Sequence, residues 1–216
     1  AYGGGMLLSK HDPNVLAGVE RADSITIDPH KWFYAPLDAG ALLVRDDSRL
    51  THSFGMQPAY LTDPLDPEGL RYNYYVHGFE QSRRFRGLKV WSGLKRYGVR
   101  QLGAWVDANV EQARHLHALV ADDPEFEAAV HPRMSAICIR FVRDGLSADA
   151  LHDLHAQVAR QIEAGGQFWI STTALKGATW FRINPVNFRT EIRHLTELHN
   201  SLRAACRRVA EELEGA

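Results

Sequence analysis

Lys31 is the residue in this chain whose neighbours point most directly to chemistry. It follows a short β-rich run, residues 24–27, and a proline at position 29, and it lies between His30 and Trp32. The proline ends regular structure at this point. A lysine between an imidazole and an aromatic ring is expected to be partly desolvated, which disfavours the charged ammonium and leaves the amine able to attack a carbonyl carbon. The pattern is typical of a lysine that forms a Schiff base, and its structural alternative is a surface lysine after a turn.

Four segments, taken in order, carry a resemblance to a known family. They are residues 1–5, 22–32, 82–91 and 182–190, which contain the runs AYGGG, DPHKW, RRFRGLKVW and NFRT. These runs resemble the signatures of the pyridoxal-phosphate-dependent group II amino-acid decarboxylases, whose members act on aromatic amino acids, glutamate and histidine. The segments follow one another in the family's order. They run from residue 1 to residue 190, so the resemblance covers nearly the whole chain.

The resemblance implies an α/β fold of the fold-type I pyridoxal-phosphate enzymes. It implies pyridoxal 5′-phosphate as the cofactor, bound to Lys31 as an internal aldimine, with His30 beside the phosphate and Ala1 beside the pyridine ring by position. The implied reaction is decarboxylation of an L-amino acid, of the aromatic type, to the amine and carbon dioxide. For His30 the structural alternative is a turn histidine.

Tyr74 is the second catalytic candidate. Counting back from the RRFR run places it where the aromatic decarboxylases carry a mobile-loop tyrosine, which in that family protonates Cα after carbon dioxide leaves. The resemblance therefore implies a catalytic loop over about residues 60–82 with Tyr74 as general acid. Tyr72 and Tyr75 lie close by, so another tyrosine of the cluster could be the donor. The structural alternative is an aromatic loop that packs on a partner subunit.

Residues 1–98 are predicted to form the C-terminal half of the large cofactor-binding domain. Ala1 to Gly5 is expected to be the end of a strand, and residues 14–19 a short helix. Strands are predicted at 24–27 and, as a buried strand, at 40–45. A long aperiodic stretch follows over 46–82, and then a helix from 87 that ends at Gly98.

Residues 99–216 are predicted to form a small C-terminal α+β domain with its helices on one face of a sheet. Apolar residues at helical spacing predict a long helix over 99–120, and Ser147 is a predicted helix N-cap. The remaining predicted elements are strands at 136–141, 168–173 and 179–183, a helix over 148–164 and a last helix from about 190.

Composition narrows the classes of partner. The net charge of −1 gives no electrostatic basis for binding nucleic acid or an anionic membrane. No apolar run approaches the roughly 20 residues that span a bilayer, and the beginning lacks a signal-peptide pattern. Cys138 and Cys206 are predicted to be reduced, and we expect a cytoplasmic protein. No metal site is predicted, because neither the pair His152 and His155 nor the other histidines lie in a known ligand pattern.

The resemblance implies an amino-acid substrate and a homodimer with shared active sites. It also implies that the chain corresponds to the C-terminal portion of a longer polypeptide, without the aspartate that contacts the pyridine nitrogen, so we expect little activity from the chain alone. The competing functions are an aminotransferase or aldehyde-forming deaminase, which share the lysine and the fold, and a non-catalytic fragment that serves as a folding or dimer partner. The substrate's side chain is not predicted.

Overall fold

The computed structural model describes residues 1–56, 58–61, 66 and 71–215. The chain divides into two compact units, the first made of residues 1–5 and 16–98 and the second of residues 6–15 and those from 99 onward. The main division thus falls between Gly98 and Val99. The short segment Met6–Val15 groups with the second unit, although the sequence predicts it in the first domain.

The first unit contains a two-stranded antiparallel sheet. Strand β1, Ser24–Ile27, pairs with β2, Ala41–Val44, in a register that sets Ser24 opposite Val44. Helix α1, Ser48–Phe54, follows, and α2, Gly87–Ala121, begins in this unit. Short 3-10 helices span Tyr2–Leu8, Val19–Arg21, Ala59–Leu61 and Tyr74–His77. The predicted strand at 24–27 is confirmed.

Several predictions for this unit are wrong in detail. Strand β2 forms, but Leu42 and Leu43 are about half exposed rather than buried, because no third strand or helix covers this pair in the described residues. The opening residues form a 3-10 helix and not a strand end. Residues 14–18 form turns rather than a helix, and Gly18 takes a left-handed conformation with φ of 90°.

Helix α2 is divided at Gly98, whose φ of 74° and ψ of 159° lie outside the helical region. This break agrees with the predicted end of the first helix, since only glycine adopts such a φ without a steric penalty. The predicted long helix after it is also confirmed. Its buried face carries apolar residues at helical spacing: Leu102, Val106, Val110, Ala113, Leu116 and Val120.

The second unit is built on a four-stranded antiparallel sheet in the order β3-β4-β6-β5. Its strands are β3 (Phe126–Ala128), β4 (Ile137–Phe141), β5 (Ser171–Leu175) and β6 (Ala178–Ile183). In β4, alternate residues are buried, as the sequence pattern predicts. Strand β3 was not predicted, because a three-residue strand shows no periodicity. Lys176 and Gly177, both at positive φ, form the predicted turn between β5 and β6.

Helices α3, Ala148–Ala164, and α4, Ile192–Glu214, complete the second unit. The Ser147 side chain accepts a hydrogen bond from the backbone of Ala150, so the predicted N-cap is confirmed. Helix α3 packs against α4 and against β4, β5 and β6. The core contains the fully buried side chains of Phe141, Phe181, Leu154 and Leu202. Of the helices in the described part of the chain, none is long and apolar enough to cross a membrane.

Candidate active site around Lys31

A tight turn after β1 presents Lys31. The backbone N–H of Lys31 donates to the carbonyl of Asp28 at 2.9 Å, and the N–H of Tyr34 donates to the carbonyl of Lys31 at 3.0 Å. The N–H of Asp28 donates to the carbonyl of Ala1 at 3.0 Å, so the first residue lies against the base of this turn. Three of the predicted site residues, Ala1, His30 and Lys31, therefore lie in one small region of the first unit.

The side chain of Lys31 is 40% exposed, and its Nζ lies 2.7 Å from Oδ2 of Asp28. The hydrogen bond from Lys31 lowers the pKa of the Asp28 carboxyl below its usual value. The partial desolvation expected from the sequence stays a prediction, and the structure adds a carboxylate beside the ammonium that the sequence analysis did not pair with it. The i, i+3 spacing of Asp28 and Lys31 is compatible with an ion pair. The sequence alone did not establish the pair, because Asp28 could equally have been a turn residue before a proline.

Trp32 explains why the lysine points outward. Its side chain is fully buried, and its ring packs edge-to-face with that of Tyr2 at 4.7 Å between centroids. A Cβ added at Gly5 would lie 2.3 Å from the Cβ of Trp32, so only glycine permits this close approach. The packing of Gly5 and Tyr2 on the buried Trp32 therefore holds the turn in place, while the side chain of Lys31 remains partly exposed.

His30 is held by contacts with the backbone of Ala39. Its Nδ1 lies 2.7 Å from the carbonyl oxygen of Ala39, which can only accept, so Nδ1 carries the proton. The N–H of Ala39 is 3.4 Å from the same nitrogen, and the shorter contact determines this tautomer. Nε2 is then the nitrogen that remains for a ligand, and it can donate to an anionic oxygen when the ring is protonated.

The RRFR run contacts the far side of the same loop. Nε of Arg86 donates to Oδ2 of Asp38 at 2.8 Å, and its two terminal nitrogens donate to the carboxylate of Glu80 at 2.7 and 3.1 Å. Hydrogen bonding from Arg86 lowers the pKa of Asp38 to about 2. Nζ of Lys89 donates to the carbonyls of Leu37 and Asp38 at 2.9 and 3.1 Å. Sequence reasoning did not identify Asp38 as the partner of these cations, since a lone loop aspartate carries no pattern.

Tyr74 lies on a different segment, in the 3-10 helix Tyr74–His77. Its exposed ring packs edge-to-face with Tyr72 at 4.9 Å, and the guanidinium of Arg83 lies 5.8 Å from the ring centroid. None of its described contacts reaches the turn of Lys31. The hydroxyl of Tyr75 is buried and has no hydrogen-bond partner among the described residues.

The predicted catalytic loop over 60–82 is only partly described, since residues 62–65 and 67–70 lie outside the described part of the chain. Tyr60, at its beginning, is a further exposed phenol that the sequence argument did not single out. Among the described residues of this loop, exposure thus leaves three candidates for a solvent-facing proton donor, Tyr74, Tyr72 and Tyr60.

The histidines outside the turn have structural partners. His155 accepts a hydrogen bond from the backbone of Phe141, and His152 contacts the hydroxyl of Thr179. His115 contacts Thr196, and His117 packs on His131. In the residues that the structure describes, no three His, Cys, Asp or Glu side chains lie close enough together to hold a metal ion.

Comparison with known proteins gives consistent results. The family model described as the pyridoxal-dependent decarboxylase conserved domain matches residues 1–142. The chain is 30% identical to an aromatic-L-amino-acid decarboxylase of Bacillus atrophaeus over 97% of its own length and 44% of the relative's. It thus spans less than half the length of the curated relatives it matches.

Solved structures share the fold. A structure described as Oryza sativa TDC with PLP and tryptamine is similar with a TM-score of 0.86 and 27% identity over 96% of this chain and 43% of that one. A 4-hydroxyphenylacetaldehyde synthase of Rhodiola rosea, at 24% identity, has a TM-score of 0.78 over 95% of this chain and 41% of that one. These structures confirm the α/β class of fold type I that the sequence predicts.

Proposed function

The chain belongs to the pyridoxal-dependent decarboxylase family, and from this premise we propose that it carries the lysine part of an active site that decarboxylates an L-amino acid of the aromatic class. The observation that carries the proposal is Lys31 itself, an accessible amine on a turn whose next residue is locked in the interior. The Bacillus atrophaeus relative is an aromatic-L-amino-acid decarboxylase, which supports the choice of substrate class.

The residues of the turn fit pyridoxal phosphate. The amine of Lys31 is reachable, and it would bind the aldehyde carbon of the cofactor. Nε2 of His30 would face the phosphate, and the backbone at Ala1 would lie beside the ring, as the resemblance implies. When bound, the cofactor supplies an electron sink for the bond that breaks at Cα.

The chain's own groups would then manage charge and protons. Before Lys31 reacts, the carboxylate of Asp28 is the counter-charge of its ammonium. After carbon dioxide leaves, Cα must receive one proton so that the products are one amine and one carbon dioxide for each amino acid. A phenol suits this step if its loop closes and excludes water, and we assign it to Tyr74, with Tyr72, Tyr75 and Tyr60 as the alternatives.

We also propose that the site is completed in a homodimer. Large apolar side chains of the first unit are exposed, among them Phe79, Phe85 and Leu37, and a partner subunit would cover such surface. Sedimentation of the natural polypeptide that contains this sequence tests this point. A monomer at all concentrations would contradict it. The cytoplasmic location stays a prediction.

The competing reaction is oxidative: dissolved oxygen takes up two electrons to become hydrogen peroxide, and the amino acid yields an aldehyde, carbon dioxide and ammonia. It is kept because the fold is shared with an aldehyde synthase, so the fold alone does not separate the two reactions. An aminotransferase would instead give a keto acid and no carbon dioxide. A chain that only assists folding or dimerisation would give none of these products.

A product balance tests the proposal. The natural polypeptide is incubated with pyridoxal phosphate and single L-amino acids, including tyrosine, tryptophan and glutamate, and carbon dioxide, amine, ammonia and keto acid are measured. We expect equal amounts of amine and carbon dioxide from an aromatic amino acid, and none of either from the Lys31→Arg variant. Release of keto acid or ammonia without amine, or no carbon dioxide from any amino acid, would refute the decarboxylase proposal.

A further inference from the structure

Arg86 connects two parts of the first unit that are 48 residues apart in sequence, the loop after Lys31 and the start of α2. Its side chain is 25% exposed and is shared between Asp38 on the loop and Glu80 just before the RRFR run. Because the guanidinium is planar, the bond to Asp38 and the two-point contact with Glu80 fix its orientation.

Lys89, three residues further on, contacts the same part of the loop. Its ammonium donates to the carbonyl oxygens of Leu37 and Asp38 and lies 3.6 Å from the Asp38 carboxylate. Arg86 and Lys89 therefore both contact the carboxylate of Asp38. Lys89 also binds the backbone carbonyls of Leu37 and Asp38.

Packing does not hold Leu37 and Asp38 themselves, although Ala35 and Ala39 on either side are buried. Leu37 is 76% exposed, and Asp38 is exposed as well. Tyr34, between Lys31 and Leu37, has a φ of 54°, a left-handed conformation that is unfavourable for a residue with a side chain. A loop with a strained residue and an exposed end keeps one conformation only if other contacts impose it, and the described contacts at this end are polar.

The contacts lead directly to the proposed site. Asp38 adjoins Ala39, whose carbonyl fixes Nδ1 of His30. The N–H of Ala35 donates to the carbonyl of Pro29 at 3.1 Å, which closes the loop around Lys31. A displacement of Asp38 would therefore move the acceptor of His30 and the backbone on both sides of Lys31.

We propose that Arg86 is a positioning residue for the lysine loop, which fixes His30 and Lys31 by holding Asp38. The inference rests on the proposed function, because the site that it positions is the one assigned there. The proposal predicts that the arginines of the RRFR run contribute unequally to holding Asp38. Arg84 is 81% exposed and lies 3.8 Å from Asp38, so it adds little, whereas Arg86 does the holding.

Hydrogen exchange of the 216-residue chain, followed by mass spectrometry, tests the role of Arg86 without any cofactor. The variants are Arg86→Met, Asp38→Asn and their combination, with Arg84→Gln as the matched control and peptides from α4 as the internal reference for intact folding. In the first two variants we expect the amides of Lys31, Tyr34 and Ala35 to exchange at least about threefold faster. The double variant should show no further increase, because both changes remove one contact.

Two results would overturn the inference: unchanged exchange in Arg86→Met, or the same acceleration in Arg84→Gln. If Arg86→Met accelerates exchange throughout the first unit, the Arg86→Lys variant is measured instead. A lysine keeps the positive charge but lacks the planar guanidinium that makes two-point contacts. Faster exchange confined to residues 29–39 in that variant supports the positioning role. Uniformly faster exchange over the first unit in both variants contradicts it.

A second readout links the loop to cofactor capture. The natural polypeptide and the same variants are mixed with pyridoxal phosphate and reduced with borohydride, and the rate of modification at Lys31 is measured. We expect a slower rate in Arg86→Met and Asp38→Asn, and the wild-type rate in Arg84→Gln. A wild-type protein that is not modified at Lys31 would count against the proposed function, while the exchange result would still decide the role of Arg86. Modification of Arg86→Met at the wild-type rate would refute positioning.

Discussion

Nζ of Lys31 and Oδ2 of Asp28 lie 2.7 Å apart, within the turn that follows β1. The same aspartate accepts the backbone N–H of Lys31 through its carbonyl oxygen. Asp28 thus holds the lysine at two points, and its carboxylate is the counter-charge of the ammonium. Any reaction of the amine with a carbonyl carbon must first give up this ion pair, since only the neutral amine is nucleophilic.

Replacement of Asp28 by Asn should make Lys31 more reactive. The amide retains the shape of the carboxylate but forms no ion pair with Nζ of Lys31, so the amine is less restrained from reaching a reagent. Labelling of the chain with an amine-selective reagent at neutral pH, followed by peptide mass spectrometry, should show about twofold to fivefold faster modification of Lys31. Asp23→Asn, an exposed aspartate in the same segment, is the control. Slower or unchanged labelling in Asp28→Asn would show that the ion pair does not restrain the amine.

Tyr74→Phe should abolish protonation at Cα if Tyr74 is the donor. We expect amine formation in the natural polypeptide to fall by about 10²-fold to 10⁴-fold. In the presence of dissolved oxygen as the two-electron oxidant, aldehyde, ammonia and hydrogen peroxide should replace the amine. Tyr60→Phe and Tyr72→Phe are measured beside it, since Tyr60 and Tyr72 are the other exposed phenols in the described part of the predicted loop. Loss of amine formation in Tyr60→Phe, with Tyr74→Phe active, would transfer the role to Tyr60.

The stability of the second unit should decrease as the pH falls below about 6.5. His155 is buried, its Nε2 accepts the Phe141 N–H, and burial lowers its pKa, with Arg140 and His152 nearby acting in the same direction. The unfolded chain therefore binds a proton at higher pH than the folded chain, so stability is full above the unfolded value and declines as the pH drops through it.

His199 is also buried with a lowered pKa, faces Asp123 and Arg203, and contributes in the same sense. Urea unfolding at several pH values measures the effect. His155→Gln should reduce the slope of unfolding free energy against pH between about 6.5 and 5, by up to about 1.4 kcal/mol per pH unit. An unchanged slope would mean that His155 takes up its proton without unfolding.

Asn109 should be important for the late turn that contains the NFRT run. Its side-chain amide donates to Gln112 at 3.0 Å and to the carbonyl of Asn187 at 3.1 Å, and Gln112 in turn donates to the carbonyl of Thr190. Asn109→Leu removes this network from a fully buried position, and we expect a loss of about 1–3 kcal/mol in unfolding free energy. Asn200→Leu, at an exposed helix position, should change it by less than about 0.5 kcal/mol. Equal losses in the two variants would contradict this reading.

The second unit was largely predictable because its elements are long and periodic. The buried stripe of Leu102 to Val120, the alternation in β4 and the Ser147 cap are local signals, and the structure confirms each of them. Strand β3 was missed because three residues carry no period and form a strand only by pairing with β4.

For the site, the resemblance supplies candidates. Lys31 and His30 stay predicted site residues, which the structure places on one turn, while the exposure of Lys31 and its pairing with Asp28 depend on the turn geometry. The contact of Arg86 with Asp38 joins residues far apart in sequence, and no local pattern pairs them. Strand β2 shows a further limit, since an apolar run indicates a strand without telling whether anything covers it.

The measurement that tests the central claim most directly is the site of cofactor attachment. The natural polypeptide that contains this sequence is incubated with pyridoxal phosphate, reduced with borohydride and digested, and the modified peptide is sequenced, with Lys31→Arg as the control. We predict one pyridoxyl group on Lys31 and none in the variant. Modification spread over other lysines such as Lys10, Lys95 and Lys176, or no modification at Lys31, would contradict the assignment of this lysine to the cofactor.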